Sequence, residues 1–136
     1  MRYLCIDLGE KRTGLALGDD ETRLVSPLDV IVAPRSNATF MAALLTVIEQ
    51  QKPDALVIGL PINMDGSEGP AAKSVRSFGD SLSEKSRLPI HFQDERLTSH
   101  AADQRMAQSG RTHKQKKELR DALAAAEILR DFLQIA

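Results

Sequence analysis

A short run of wholly apolar residues most constrains what this chain can fold into. The run Ala55–Gly59 follows Pro53, has no polar side chain and is too short for a buried helix. Strands that are covered by helices on both faces have this pattern, because neither face meets water. The sequence therefore predicts an α/β fold with this segment as a central parallel strand.

The other apolar segments predict the remaining elements. Strands are predicted at residues 3–8, 13–18, 24–32 and 88–92, and helices at residues 37–51, 71–82, 98–110 and 114–134. The first three strands follow one another through short turns, which predicts an antiparallel meander. Pro27 places the third strand at an edge, because proline cannot donate to a sheet ladder. The expected architecture is a single domain with a mixed five-stranded sheet, in which a three-stranded antiparallel meander joins parallel strands, with helices on both faces.

Composition excludes several classes of protein. The chain has 136 residues, of which 42% are hydrophobic and 27% charged, and its formal net charge is −1. This balance argues against coating of a polyanion by the whole surface, although it allows a local basic patch. No apolar run reaches the ~18 residues that cross a bilayer, and the N-terminus lacks a signal-peptide layout. We therefore expect a cytoplasmic protein that does not associate with a membrane. Cys5 is expected to be a small core residue.

Three carboxylates occupy unusual positions. Asp7 ends the first strand, Glu95 follows the fifth, and Asp121 lies in a helix made mostly of alanine and leucine. Acids on apolar elements cost free energy unless a cation compensates them. Open α/β sheets place ligands at the carboxyl ends of their strands, where Asp7 and Glu95 fall. A divalent metal site acting on a phosphodiester is therefore one interpretation.

Each acid also has a structural interpretation. Asp7 can cap the turn through Gly9, and Glu95 can stabilise a following helix N-terminus. Asp121 can pair with Lys117, four residues earlier on the same helix. From single segments alone, these alternatives stay open.

Basic residues near the acids predict contacts to a nucleic-acid backbone. The candidates are Lys11, Arg12, Arg96, Lys114, Lys117 and Arg120. Aromatic residues make up only 4% of the chain, so recognition through backbone and shape is favoured over base stacking. The loop after the central strand offers a possible phosphate-binding turn at Asn63, Gly66 and Ser67, although a structural loop would have the same composition.

Four motifs resemble those of the bacterial YqgF (RuvX-like) family, in the family's order and across nearly the whole chain. They are Ile6–Ala16, Gly59–Ser67, Asp94–Ser99 and Asp121–Ala125. The resemblance implies a ribonuclease H-like fold and a metal-dependent nuclease. It also implies that Asp7, Glu95 and Asp121 are the catalytic residues and the ligands of Mg²⁺ or Mn²⁺, with two ions expected.

The resemblance further implies a nucleic-acid substrate. Precursor 16S rRNA is favoured, and the reaction would mature its 5′ end, whereas a four-way DNA junction is the alternative. We expect a monomer; a junction resolvase would require a dimer with two symmetric sites. A noncatalytic RNA-binding factor for ribosome assembly is a second alternative. An ATP-binding module is a third, because the turn after Asp7 also resembles the first phosphate motif of actin-like ATPases.

Overall fold

The computed structural model describes residues 1–95 and 113–135, with side chains except those of residues 113–118. Its elements are β1 Arg2–Asp7, β2 Arg12–Asp19, β3 Val25–Val32, α1 Ala38–Gln51, β4 Ala55–Leu60, α2 Pro70–Ser86, β5 Ile90–Asp94 and α3 His113–Leu133. The helix predicted at residues 98–110 lies outside the described residues.

The strands form one sheet in the order β3-β2-β1-β4-β5. β2 pairs antiparallel with both β1 and β3, whereas β4 pairs parallel with both β1 and β5. The predicted mixed sheet with its antiparallel meander is therefore confirmed. Because β1, β4 and β5 run in the same direction, their C-terminal ends meet at one side of the sheet. This side, together with the start of β2, is called the carboxyl edge below.

β4 has the central position that its apolar sequence predicts. All six of its residues are buried. Leu56 and Ile58 belong to the core between the sheet and helices α1 and α2, whereas Ala55 and Val57 belong to the core beneath α3. Strand alternation thus sends successive side chains into two apolar layers, which confirms that helices cover both faces.

Pro27 lies in an edge strand, as predicted. β3 pairs within the sheet with β2, and the register shifts so that Leu15 faces Asp29 while Ala16 faces Pro27. Leu28 is the extra residue between those partners, which is the arrangement of a β-bulge. The bulge and the edge position together accommodate a residue that has no N–H to donate.

The first two helices are defined by the caps of α1 and by the buried face of α2. The side chain of Asn37 caps α1 by accepting a hydrogen bond from the N–H of Thr39 at 3.0 Å. Lys52 ends α1 in the left-handed conformation. In α2 the buried stripe contains Ala72, Val75, Gly79 and Leu82, whereas Ala71 is exposed. A spacing of three, four and three residues keeps these four positions on one helical face.

α3 packs closely on the other face of the sheet because both sides of the contact are small. Ala125 and Ala126 are buried against β1 and β4, and Gly14 of β2 faces the helix backbone. A Cβ atom at Gly14 would overlap with the carbonyl oxygen of Asp121.

Among the helices within residues 1–95 and 113–135, none combines the length and apolar character needed to cross a membrane.

Candidate active site

Asp7 lies at the carboxyl edge on the face that α3 covers. It ends β1, and strand alternation places it on the same face as Tyr3 and Cys5. Both of those residues are buried in the core beneath α3. Cys5 is fully buried, which raises the pKa of its thiol and confirms it as a core residue. Asp7 therefore lies at the end of the middle strand of the sheet.

Asp121 reaches the same place from the helix. In the β1–β2 ladder, Asp7 is paired with Gly14. The backbone of Asp121 packs directly on Gly14, and only a residue without a side chain permits that approach. The glycine therefore sets the position of the acidic turn of α3 beside the end of β1.

Glu95 reaches the cluster from the other side of β4. Its N–H donates to the carbonyl oxygen of Leu60 at 3.2 Å, which extends the parallel pairing beyond β5. Its side chain lies over Gly59, where an added Cβ would be 2.6 Å from Glu95 Oε2. Gly59 thus leaves room for the Glu95 carboxylate to cross β4 towards Asp7.

The three acids interact electrostatically. Burial raises the pKa of Asp7 well above its usual range, and the negative charge of Glu95, a hydrogen bond with Glu95 and the charge of Asp121 raise it further. Burial also raises the pKa of Glu95, while the hydrogen bond with Asp7 opposes that rise. Two carboxyl groups joined in this way share a proton when no cation is bound, because like charges at contact cannot both ionise freely.

Asp121 has a cationic neighbour. Its Oδ2 atom lies 2.9 Å from Nε of Arg12, yet this buried oxygen accepts no hydrogen bond of suitable geometry from the described residues. Burial raises the pKa of Asp121, whereas the positive charges of Arg12 and Arg120 lower it. Arg12, which the sequence suggested only as a nucleic-acid contact, therefore also pairs with an acid of the cluster.

The donor set suits a hard divalent cation, although the ligands are not gathered around one point. Within residues 1–95 and 113–135, no three His, Cys, Asp or Glu side chains are grouped closely enough to hold one ion. Asp7 and Glu95 form a pair, while Asp121 is turned towards Arg12. Carboxylate oxygens are the ligands that Mg²⁺ and Mn²⁺ prefer. Burial raises the pKa of all three acids, and neighbouring negative charge raises the pKa of Asp7 and Glu95 further, which a bound cation would oppose. The chemistry of these residues thus fits such an ion.

The predicted nucleic-acid contacts are placed unevenly. Lys11 is exposed in the β1–β2 turn, and Arg120 is exposed on α3. Arg96 and the side chains of Lys114 and Lys117 lie outside what the structure describes. The interpretation of all six basic residues as backbone contacts stays a prediction.

The predicted phosphate loop is closed by its own hydrogen bonds. The N–H groups of Asn63 and Gly66 donate to the carbonyl oxygens of Ser67 and Asn63, at 2.9 and 2.8 Å. The N–H of Ser67 donates to Asp65 Oδ1 at 2.9 Å. Gly66 has φ +89°, the left-handed region that glycine tolerates. The loop is therefore a self-contained turn at the carboxyl edge, and its role in phosphate binding stays a prediction.

Comparison with known proteins places the chain in a family. The model of the RuvX family, described as Holliday junction resolvase, matches residues 1–135. The chain belongs to the RuvX family. Two relatives carry the name "Putative pre-16S rRNA nuclease". The one from Anaeromyxobacter sp. (strain Fw109-5) is 39% identical, over 98% of this chain and 96% of its own. The one from Roseiflexus sp. (strain RS-1) is 43% identical, over 97% and 93%.

Solved structures share the fold of this RuvX-family chain. Thermus thermophilus RuvC superposes with a TM-score of 0.59 at 16% identity, over 99% of this chain and 96% of its own. Fowlpox virus resolvase in complex with Holliday junction DNA superposes with a TM-score of 0.63 at 10% identity, over 98% and 97%. At such low identity the likeness establishes the fold alone, which is the ribonuclease H-like architecture that the motifs imply.

Sequence reasoning did not identify three residues that shape the carboxyl edge in this member of the RuvX family. Gly14 and Gly59 make room for Asp121 and Glu95, and Arg35 joins the β1–β2 turn from the start of the loop before α1. A glycine inside an apolar strand was the available signal for the first two, because it often marks a close approach by another group. Arg35 has no comparable local signal, since its contacts come from residues distant in the sequence.

Proposed function

We propose that this protein is a metal-dependent nuclease that hydrolyses RNA phosphodiesters and acts on precursor 16S rRNA. The observation that supports the proposal is that Asp7, Glu95 and Asp121 lie along the carboxyl edge, where Asp7 is hydrogen-bonded to Glu95 and within range of the charge of Asp121, with raised pKa values in all three. Perturbed acids in one location are typical of functional sites. The names of the relatives support the substrate, since at about 40% identity they match nearly the whole chain.

The three acids would hold Mg²⁺ or Mn²⁺, with two ions as the expected number. A bound ion would activate a water molecule and stabilise the charge that develops on the leaving oxygen. Asp7 provides the least mobile support because it ends a central strand. Arg12 holds the Asp121 carboxylate on its own side of the cluster through their ion pair, so ion binding by all three acids would turn this carboxylate towards the other two.

Basic residues around the cluster would hold the nucleic-acid strand. Lys11 and Arg120 are exposed on two segments that flank the acids, namely the turn before β2 and the helix α3. Arg96, Lys114 and Lys117 would extend the same surface, and the loop with Asn63, Gly66 and Ser67 would contact a phosphate at its margin. Such contacts position the backbone without reading the base sequence.

We also infer that the protein acts as a monomer in the cytoplasm.

The test is cleavage of two substrates by the purified protein. Precursor 16S rRNA and a synthetic four-way DNA junction are incubated with Mn²⁺ or Mg²⁺, with and without a chelator. The proposal predicts metal-dependent cleavage of the RNA and loss of cleavage with the chelator. Cleavage of the junction alone would contradict the substrate and favour resolution of DNA. Tight binding of RNA without cleavage of either substrate would favour a noncatalytic assembly factor.

A further inference from the structure

A small pocket with two cations lies beside the acidic cluster. The pocket has a volume of about 350 Å³ and is lined by Glu10, Lys11, Pro34, Arg35 and Ser36. It lies between the β1–β2 turn and the loop that joins β3 to α1. Because Arg12 at the start of β2 pairs with Val32 at the end of β3, both segments belong to the carboxyl edge.

Hydrogen bonds fix the loop that carries Arg35. The N–H of Arg35 donates to the carbonyl oxygen of Glu10 at 3.2 Å, and the N–H of Asn37 donates to that of Pro34 at 2.9 Å. The guanidinium of Arg35 donates to the hydroxyl of Ser74 on α2 at 3.1 Å. These contacts hold the arginine in place through a neutral partner, so they leave its positive charge available to an anion.

The two cations of this pocket differ from Arg12 and Arg76 in having no carboxylate partner in the described part of the chain. Among the side chains that the structure describes, neither Lys11 nor Arg35 forms an ion pair, whereas Arg12 and Arg76 each have a carboxylate partner. The nearby first turn of α1 contains no acidic residue, so the helix dipole adds positive potential next to Ser36. Among the described residues of the pocket lining, Glu10 is the one acid.

We propose that Lys11 and Arg35 form a second phosphate-binding position for the nucleic-acid strand whose cleavage is proposed above, so this inference rests on that function. Lys11 follows Asp7 by four residues, so their Cα atoms are at most about 14 Å apart. A strand held at the acidic cluster therefore reaches the pocket with a phosphate near the cleaved bond. Both cations contact the backbone, and the hydroxyl of Ser36 supplies a further donor.

Salt dependence of RNA binding tests the assignment. A fluorescein-labelled single-stranded RNA of roughly 16 nucleotides, the upper end of the site sizes of common single-strand-binding folds, is titrated in chelator at several salt concentrations. Lys11→Gln and Arg35→Gln should each reduce the slope of log K against log salt by about 0.7, the value for one lost phosphate contact. Thermal midpoints of the variants confirm that they fold.

Matched controls and a variant of opposite sign complete the design. Lys52→Gln and Arg87→Gln each remove one positive charge at the C-terminal ends of α1 and α2. These positions lie just before β4 and β5, at the edge of the sheet opposite the carboxyl edge. Both should leave the slope unchanged. Glu10→Gln removes the pocket's acid and should tighten binding. Slopes for Lys11→Gln and Arg35→Gln equal to those of the controls would overturn the subsite.

The outcomes separate this inference from the proposed function. If the wild-type protein binds the RNA but cleaves neither substrate with Mn²⁺, the nuclease assignment fails while the slopes still decide the phosphate position. If it cleaves precursor rRNA and the slopes of the two pocket variants match the controls, only the phosphate position fails. A wild-type protein that does not bind the RNA would overturn both.

Discussion

The proton shared by Asp7 and Glu95 links the site to pH. Burial raises the pKa values of both acids, and the charge of Glu95 raises that of Asp7 further, so the folded protein retains protons that the unfolded chain releases. The contribution of this pair to the free energy of unfolding is therefore highest below the ordinary carboxyl pKa of about 4. It falls as the pH rises towards the raised pKa values of the folded protein. The site is thus a source of instability at neutral pH when no cation is present.

Replacing Asp7 should remove that instability. In chelator, Asp7→Asn is expected to raise the free energy of unfolding at neutral pH relative to the wild type and to flatten its decline with pH. Urea unfolding across a series of pH values measures this effect, with Asp80→Asn as the control because Asp80 is an exposed aspartate on α2. If Asp7→Asn follows the wild-type curve in parallel, the buried carboxyl pair is not responsible.

The same substitution should affect activity in the opposite direction. Loss of an acid that holds the catalytic ion is expected to reduce kcat/KM by about a thousandfold or more, because groups that act as a unit fail together. Retained metal-dependent cleavage by a folded Asp7→Asn protein would refute the assignment of Asp7.

Arg12 should set the pH at which Asp121 ionises. Its positive charge opposes the effect of burial on the pKa of Asp121, so Arg12→Gln raises that pKa further. The acidic limb of the profile of kcat/KM against pH should then move to higher pH, because Asp121 in the variant loses its proton only at higher pH. Arg12→Lys retains the charge and should keep the limb closer to its original position. An unchanged limb in Arg12→Gln would separate the ion pair from catalysis.

The packing of α3 on β2 depends on the absence of a side chain at Gly14. Gly14→Ala forces the helix away from the sheet, because the new methyl group overlaps with the Asp121 backbone. We expect a loss of about 1–3 kcal/mol in the free energy of unfolding, the usual cost of overpacking. Gly69→Ala is the control, since its methyl group meets the Asn63 side chain at 3.3 Å and the N-cap exchange costs about 1 kcal/mol or less. Equal losses in the two variants would contradict the close contact.

Local pattern predicted the elements well where one signal dominated. The apolar run at β4 and the proline in β3 each specify an element through a single cause, and both are confirmed. The buried face of α2 was not predicted, because Ala71 and Ala72 are equally apolar and packing against the sheet decides which of the two is buried. Boundaries of β5 also moved, from 88–92 to Ile90–Asp94, since pairing with β4 sets them.

The candidate site was predictable in part for a related reason. Acids at strand ends are visible in the sequence, so local pattern is enough to select Asp7 and Glu95. Asp121 could be selected because an acid is unusual in a helix of small residues. The pairing of Arg12 with Asp121 and the joining of Arg35 to Glu10 arise from tertiary contacts, which no local pattern encodes.

At the level of the complete molecule, the proposed substrate predicts the oligomeric state. A nuclease that cuts one RNA strand needs one acidic cluster, whereas a junction resolvase needs two clusters related by symmetry. Sedimentation equilibrium of the purified protein should therefore give the mass of one chain, 14.9 kDa. A stable dimer would contradict this prediction and favour a branched DNA substrate.

Binding of Mn²⁺ tests the central claim most directly. The claim is that Asp7 of β1, Glu95 just after β5 and Asp121 of α3 bind a cation together. Titration calorimetry compares the wild type with Asp7→Asn, Glu95→Gln and Asp121→Asn, and with Asp80→Asn as the control. The account predicts saturable binding by the wild type and the control, with protons released as the shared carboxyl pair ionises, and strongly weakened binding by each of the three site variants. Wild-type affinity in all three site variants, or a wild type that binds no Mn²⁺, would contradict it.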